Sequence, residues 1–162
     1  MAKNPLYVDK VVLKNGGVIE TSAGTDIIAV SSAGAVNATA QSTSSTFGIG
    51  YAAGAGGAVT QSTNRTTGVT LNTICGTITT DNASLAAEGS ADFIVTNSTV
   101  AITDCVVLSI QSGENSGGTI LSVQDVAAGS FAIRVHNGNV AAGTAETGAI
   151  KINFAVIKAV VA

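Results

Sequence analysis

The chain has 162 residues, of which 46% are apolar and only 10% charged, with a net charge of −3 and seven Lys and Arg in all. The scattered cations form no stripe that tracks phosphates, which argues against nucleic acid as a partner. The longest apolar run, FAVIKAVVA at the C-terminus, carries Lys158 and falls well short of the ~20 residues a membrane span needs.

So low a charge, against ~25% in ordinary domains, leaves an apolar surplus that is best buried between subunits, and predicts an oligomer. The start, MAKNPLYVDK, is interrupted by Pro5 and Asp9 and has no apolar signal core, so synthesis in a cytoplasm is expected. Nineteen glycines, a single Pro, no Trp and abundant Thr, Ser, Ala and Val point to short strands and tight turns.

Residues 1–46 read as an extended N-terminal β-arm and linker. LYVDKVVLK alternates as one strand, and Asn15-Gly16-Gly17 follows as a turn. Two short apolar strands come next, Val18-Ile19 and Ile27 to Val30, each followed by Ser-Ala-Gly (22–24 and 32–34). Strands this short bury no core alone, and pairing between subunits or packing on a partner's surface is the expectation. NATAQSTSST, 37–46, has neither bulk nor charge and reads as linker.

The stretch TFGIGYAAGAGGAVTQ joins the arm to a second domain, 47–162. Phe47, Ile49 and Tyr51 alternate as a half-buried strand and are candidates for a subunit interface. The glycines that follow suit close backbone approach or positive φ. From there strands of five to eight residues recur with turn signals every 8–12, the pattern of an all-β sandwich or barrel. The expected strands are 58–61, 68–72, 76–80, 91–97, 105–112, 119–126, 130–137 and 149–160, with 82–91 a loop or single turn. Their alternation predicts a core of Phe93, Val95, Leu108, Ile110, Leu121, Val123, Phe131, Ile133, Ile152, Phe154 and Val156. Each large residue buried contributes roughly 1.5–3 kcal/mol.

Few residues suggest chemistry. GIGYAAG has GxGxxxG spacing and no flanking helix, unlike a dinucleotide fingerprint. Asp81, Glu88, Asp92 and Asp104 are close in sequence, but they sit at turns, where Asp bonds local backbone, and no aromatic platform accompanies them. His136 stands alone beside the Asn137-Gly138 turn and reads as an exposed loop histidine. Cys75 and Cys105 read as buried, reduced thiols acting as small hydrophobes, and one histidine without CxxC spacing gives no metal site. Four Asn-x-Ser/Thr triplets, at Asn37, Asn64, Asn82 and Asn97, match glycosylation sites only formally in so Ser/Thr-rich a chain. No catalytic residue, cofactor or metal is expected.

GYAAGAGGAVTQ, TGVTLN, ITTDNASLAAEGSADFIVTNS, VAAGSFAIRVHN and INFAVIKA, in that order over about residues 48–160, resemble a domain common in tailed bacteriophages and prophages. That domain is attached to capsid decoration (cement) proteins, tail fibres and spikes. The resemblance implies a non-enzymatic virion structural protein, trimeric, with a jelly-roll-like antiparallel β-sandwich. Cys75 and Cys105 depart from its pattern, and the arm lies outside it.

A short arm ahead of one β-domain fits a head decoration protein, made in the bacterial cytoplasm and bound to the capsid exterior. Its partners would be two further copies of itself and the major capsid protein, with no nucleic acid and no membrane. The arm residues Leu6, Tyr7, Val8, Val11 and Leu13 are the candidates for capsid contact. The alternative role is the receptor- or carbohydrate-binding tip of a short tail fibre or spike.

Overall fold

The computed structural model describes residues 18–20, 26–30, 36–37, 51, 54–140 and 142–159. Every regular element among them is a strand. Contacts divide the chain into two compact units, Met1–Gly50 and Tyr51–Ala162.

In the first unit β1 (Val18–Glu20), β2 (Asp26–Val30) and β3 (Val36–Asn37) form an antiparallel sheet in the order β1-β2-β3. The short strands expected to pair across subunits therefore pair within one chain. Pairing between strands close in sequence is the least costly way to satisfy their backbone groups. The strand expected over LYVDKVVLK and its Asn-Gly-Gly turn lie outside the described residues.

The second unit holds β4 (Gly56–Thr60), β5 (Val69–Thr70), β6 (Cys75–Thr79), β7 (Ser90–Thr96), β8 (Cys105–Ser112), β9 (Thr119–Ala127), β10 (Ser130–Asn137) and β11 (Lys151–Ile157). They form two four-stranded sheets, β5-β7-β10-β9 and β4-β6-β11-β8. From β4 to β9 successive strands alternate between the sheets. Only β9 and β10 are joined as a hairpin, across Ala128-Gly129 with Gly129 at φ +83°.

The sheets are mostly antiparallel, but β4 pairs parallel with β6 and β5 parallel with β7. This departs from a purely antiparallel sandwich. The connection from β4 to β6 passes through β5 in the other sheet, and that crossover permits parallel pairing.

Period-two alternation decides which side chains enter the core. β7 buries Ala91, Phe93 and Val95; β10 buries Phe131, Ile133 and Val135; β11 buries Ile152, Phe154 and Val156. All of these except Ala91, with Ile78, Val106 and Ile150, belong to one cluster fed by both sheets, the arrangement of a β-sandwich. Phe131 and Phe154 meet across it with ring centroids 5.4 Å apart, tilted at 50°.

Leu108, Leu121 and Val123 pack on the rim of this core, half-buried, because β8 and β9 are edge strands. Ile110 is a correction: it is 38% exposed. The register of β8 on β11 slips between Ile110 and Ser112, and at that irregular edge Ile110 has lost its cover.

The glycine run does what its composition suggests. Gly54 takes φ +90°, and a Cβ on Gly76 would lie 2.6 Å from the carbonyl oxygen of Gly57, so β4 and β6 approach where side chains are absent.

Candidate functional site

Of the residues singled out for contact, Leu6, Tyr7, Val8, Val11, Leu13, Phe47 and Ile49 lie outside the described residues. Tyr51 is described: the residue is 42% exposed and its hydroxyl donates to the carbonyl of Val156 on β11.

The two cysteines are free, but they are not the buried pair expected. Cys75 is half-buried and Cys105 exposed. Cys75 lies opposite Ala155 and Cys105 opposite Ile157, on the two flanks of β11. Two strand spacings of ~4.8 Å separate their backbones, beyond the ~7 Å limit for a disulfide. Both thiols point outward because the phase that buries Ile78 and Val106 turns the alternate positions to the surface.

His136 sits on β10 instead of in a loop and is half-buried, its Nδ1 3.0 Å from the Ser90 hydroxyl. The acidic residues are dispersed over structural tasks. Asp81 accepts the Ala83 N–H at 2.7 Å. Asp92 takes a bidentate pair from Arg134 at 2.7 and 2.6 Å, and that bond holds its carboxyl below the usual range. Asp104 accepts the Ala101 N–H at 2.8 Å and the Lys158 ammonium at 2.6 Å, which lower its carboxyl likewise. Glu88 occupies a turn at φ 61°.

Sequence reading missed the polar interior at the end of the sandwich remote from Tyr51. Glu146 is wholly buried. It accepts the Gly148 N–H at 2.7 Å and the Thr119 hydroxyl at 2.6 Å, and more loosely the N–H groups of Asn115 and Ser116. Burial works to raise its carboxyl, but these donors together outweigh burial and leave it below the ordinary range.

Arg65, also buried, donates to the carbonyls of Ala83, Glu146 and Gly148 and to the Thr80 hydroxyl. Gln61 donates to the carbonyls of Arg65 and Thr67 and accepts the Asp81 N–H. Asn137 bridges the carbonyls of Leu85 and Thr144. The only sequence signal was two isolated charges inside polar, turn-rich connections of a charge-poor chain.

Beside Arg65 lies a shallow cleft of about 220 Å³, lined by Asn64, Thr66, Ser84, Leu85 and Ser90 among others. It is smaller than the ~300–1,000 Å³ of ordinary ligand pockets. The guanidinium is already held by four protein oxygens.

The two outward sheet faces differ in charge. The β5-β7-β10-β9 face carries the Asp92–Arg134 pair, His136 and Asp125. On the β4-β6-β11-β8 face, pairing sets residues in rows. Cys105 and Ile157 form the first, then Val107, Ala155, Cys75 and Gly56, then Ser109, Asn153, Thr77 and Ala58. Lys151, in the last row beside Thr79 and Thr60, is the face's single charge. The Thr77 hydroxyl donates to Asn153 Oδ1 at 2.9 Å, so even the polar row is satisfied internally. Val107 and Ile157 are 48% and 53% exposed, and Ile102, in the turn before β8, is 70% exposed. The apolar half of this face thus lies at the end of the sheet that Tyr51 adjoins.

Comparison with protein-family models, curated proteins and solved structures finds no match to this chain.

Proposed function

We propose that the chain is a non-enzymatic structural protein of a phage virion. It is a head decoration protein that binds the capsid exterior as a homotrimer and stabilises the shell, with a jelly-roll-type sandwich as its knob and the N-terminal residues as its attachment. The observation that carries this reading is the use the sandwich makes of its ionisable groups. Asp81, Asp92, Asp104, Glu146, Arg65 and Lys158 all bond the chain's own backbone or one another. One broad sheet face is left with a single charge. Such a molecule acts by burying area against neighbours.

Two further observations support it. The alternation of strands between sheets suits a jelly roll. The segments that resemble the phage domain fall on β4 to β7, β9 to β11 and the turns between them. Three attachment segments on one trimer would add ~10²–10⁴ in avidity over one, provided all can dock together.

The test is antibody labelling of the virions that carry the protein, imaged by negative-stain microscopy. Label over the whole head is expected. Label confined to the tail, together with binding on a glycan array, would replace this reading with that of a receptor-binding tip.

A further inference from the structure

Asparagine followed by glycine is the peptide pair most prone to lose its side-chain amide, because a residue without Cβ leaves its backbone nitrogen open to attack the neighbouring carbonyl carbon. The chain has two such pairs, Asn15-Gly16 and Asn137-Gly138. Asn137 is the last residue of β10, the strand that lies between β7 and β9.

In this reaction the Gly138 nitrogen gives its proton to hydroxide and attacks Asn137 Cγ. A C–N bond forms, the Cγ–Nδ2 bond breaks, and the NH2 group takes a proton from water and leaves as ammonia. Water then opens the five-membered imide at either carbonyl, which yields aspartate or, with one extra carbon in the backbone, isoaspartate.

The fold obstructs each step. The Gly138 N–H donates to the Gly118 carbonyl at 2.8 Å, and a nitrogen stripped of its proton there would face that oxygen. The Asn137 side chain cannot swing toward the nitrogen without losing three bonds. Nδ2 donates to the carbonyls of Leu85 and Thr144 at 3.1 and 2.9 Å, and Oδ1 accepts the Asn139 N–H at 3.2 Å. The Asn137 backbone is held as well, its N–H by the Gly89 carbonyl and its carbonyl by the Glu88 N–H, both at 2.9 Å. The residue is wholly buried, so water and hydroxide are kept out.

We infer that Asn137-Gly138 is a deamidation site that the fold keeps shut and unfolding opens, so that a long stay outside the native state is recorded covalently and cannot be reversed. The inference is independent of the role proposed above. Its irreversibility follows from the same bonds. An aspartate at 137 would set a carboxylate oxygen against the two carbonyls that now accept from Nδ2, in a site with no cation bonded to it. Isoaspartate would move the Gly138 N–H off the Gly118 carbonyl, where the backbones are so close that even a Cβ on Gly138 would lie 3.1 Å from that oxygen. A chain modified at this residue is thereby removed from the folding equilibrium.

The test holds the full chain in mildly alkaline buffer with and without concentrated guanidinium chloride, and follows residue 137 by peptide mass spectrometry as its amide NH2 is replaced by OH. In denaturant Asn137 should convert as fast as Asn15, the internal reference. In native buffer it should convert about 10³-fold more slowly or less, in proportion to the fraction unfolded. A native rate less than about tenfold below the denatured one would overturn the inference, because the site would then be open in the fold. Aged denatured protein is next diluted into native buffer, and refolded chains are separated from the rest by size exclusion. The refolded fraction should hold Asn137 intact, and an equal share of modified residue 137 in both fractions would overturn the claim of irreversibility. Asn137→Asp, expressed directly, gives a measure that needs no refolding. It is expected to show no cooperative melt by circular dichroism, and a melt matching wild type would equally overturn that claim.

Discussion

Replacing Glu146 by Ala is expected to destabilise the sandwich by about 3–5 kcal/mol. The carboxylate is wholly buried, and two of its bonds are short, from the Thr119 hydroxyl at 2.6 Å and the Gly148 N–H at 2.7 Å. Hydrogen bonds to a charged acceptor contribute about 1.5–3 kcal/mol each, and donors stranded in the interior cost a similar amount. The bonds from Asn115 and Ser116, at 3.2 and 3.3 Å, add little. Against a total of about 5–15 kcal/mol the loss is large, and for a domain this size it lowers the melting temperature by roughly 12–20 °C.

Glu146→Gln keeps the volume and one acceptor but turns an amide NH2 toward other donors, so about half the effect is expected. Urea unfolding of wild type and both variants, followed by far-UV circular dichroism, measures the series. Glu146→Ala within about 0.5 kcal/mol of wild type would refute the reasoning, since its four donors would then have found water at no cost.

Gly148→Ala should be as severe, because its Cβ would lie 1.8 Å from the carbonyl oxygen of Gly113, whose own φ is +87°. A loss of about 3 kcal/mol or more is expected by the same urea assay, and a melt unchanged from wild type would show that the two backbones can separate. Acid should destabilise the fold. Glu146, Asp92 and Asp104 all have folded-state values below their ordinary ones, so the stability they contribute is present above the unfolded values near pH ~4 and is lost as pH falls through the folded ones. Melting temperatures from neutral pH down to pH ~2.5 should drop for wild type and less steeply for Glu146→Gln, and parallel curves would exclude Glu146 as a contributor. Removal of residues 1–46 is expected to leave a folded sandwich that no longer cosediments with shells, and full occupancy by the shortened protein would place attachment elsewhere.

Strand phase was legible because burial on one face of a pleated sheet imposes a period of two on the residues themselves. Phe131, Ile133 and Val135 against Arg134 and His136 carry that information locally, as do Ile152, Phe154 and Val156 against Lys151 and Asn153. The turn at Ala128-Gly129 was equally local, since Gly129 accepts φ +83° without strain. Ile110 has the same phase as its strand and still escaped burial, because cover depends on a neighbouring strand whose register the residue does not encode. Cys75 and Cys105 were misjudged for the same reason. Residue type favours burial, but position in the register turned both outward.

Composition and alternation by themselves determined that this chain is all-β, roughly where the strands of its second unit run, the phenylalanines and several aliphatic residues of its core, and that it is poor in charge. Tertiary structure alone decided that Arg65 and Glu146 are buried and hold several connections together, that β4 and β5 join their sheets in parallel, and that one outward face is almost free of charge while the other carries ions. Alternation is a property of neighbours along the chain. A buried ion's partners and a face's net charge arise from residues dozens of positions apart, brought together only when the sheets close.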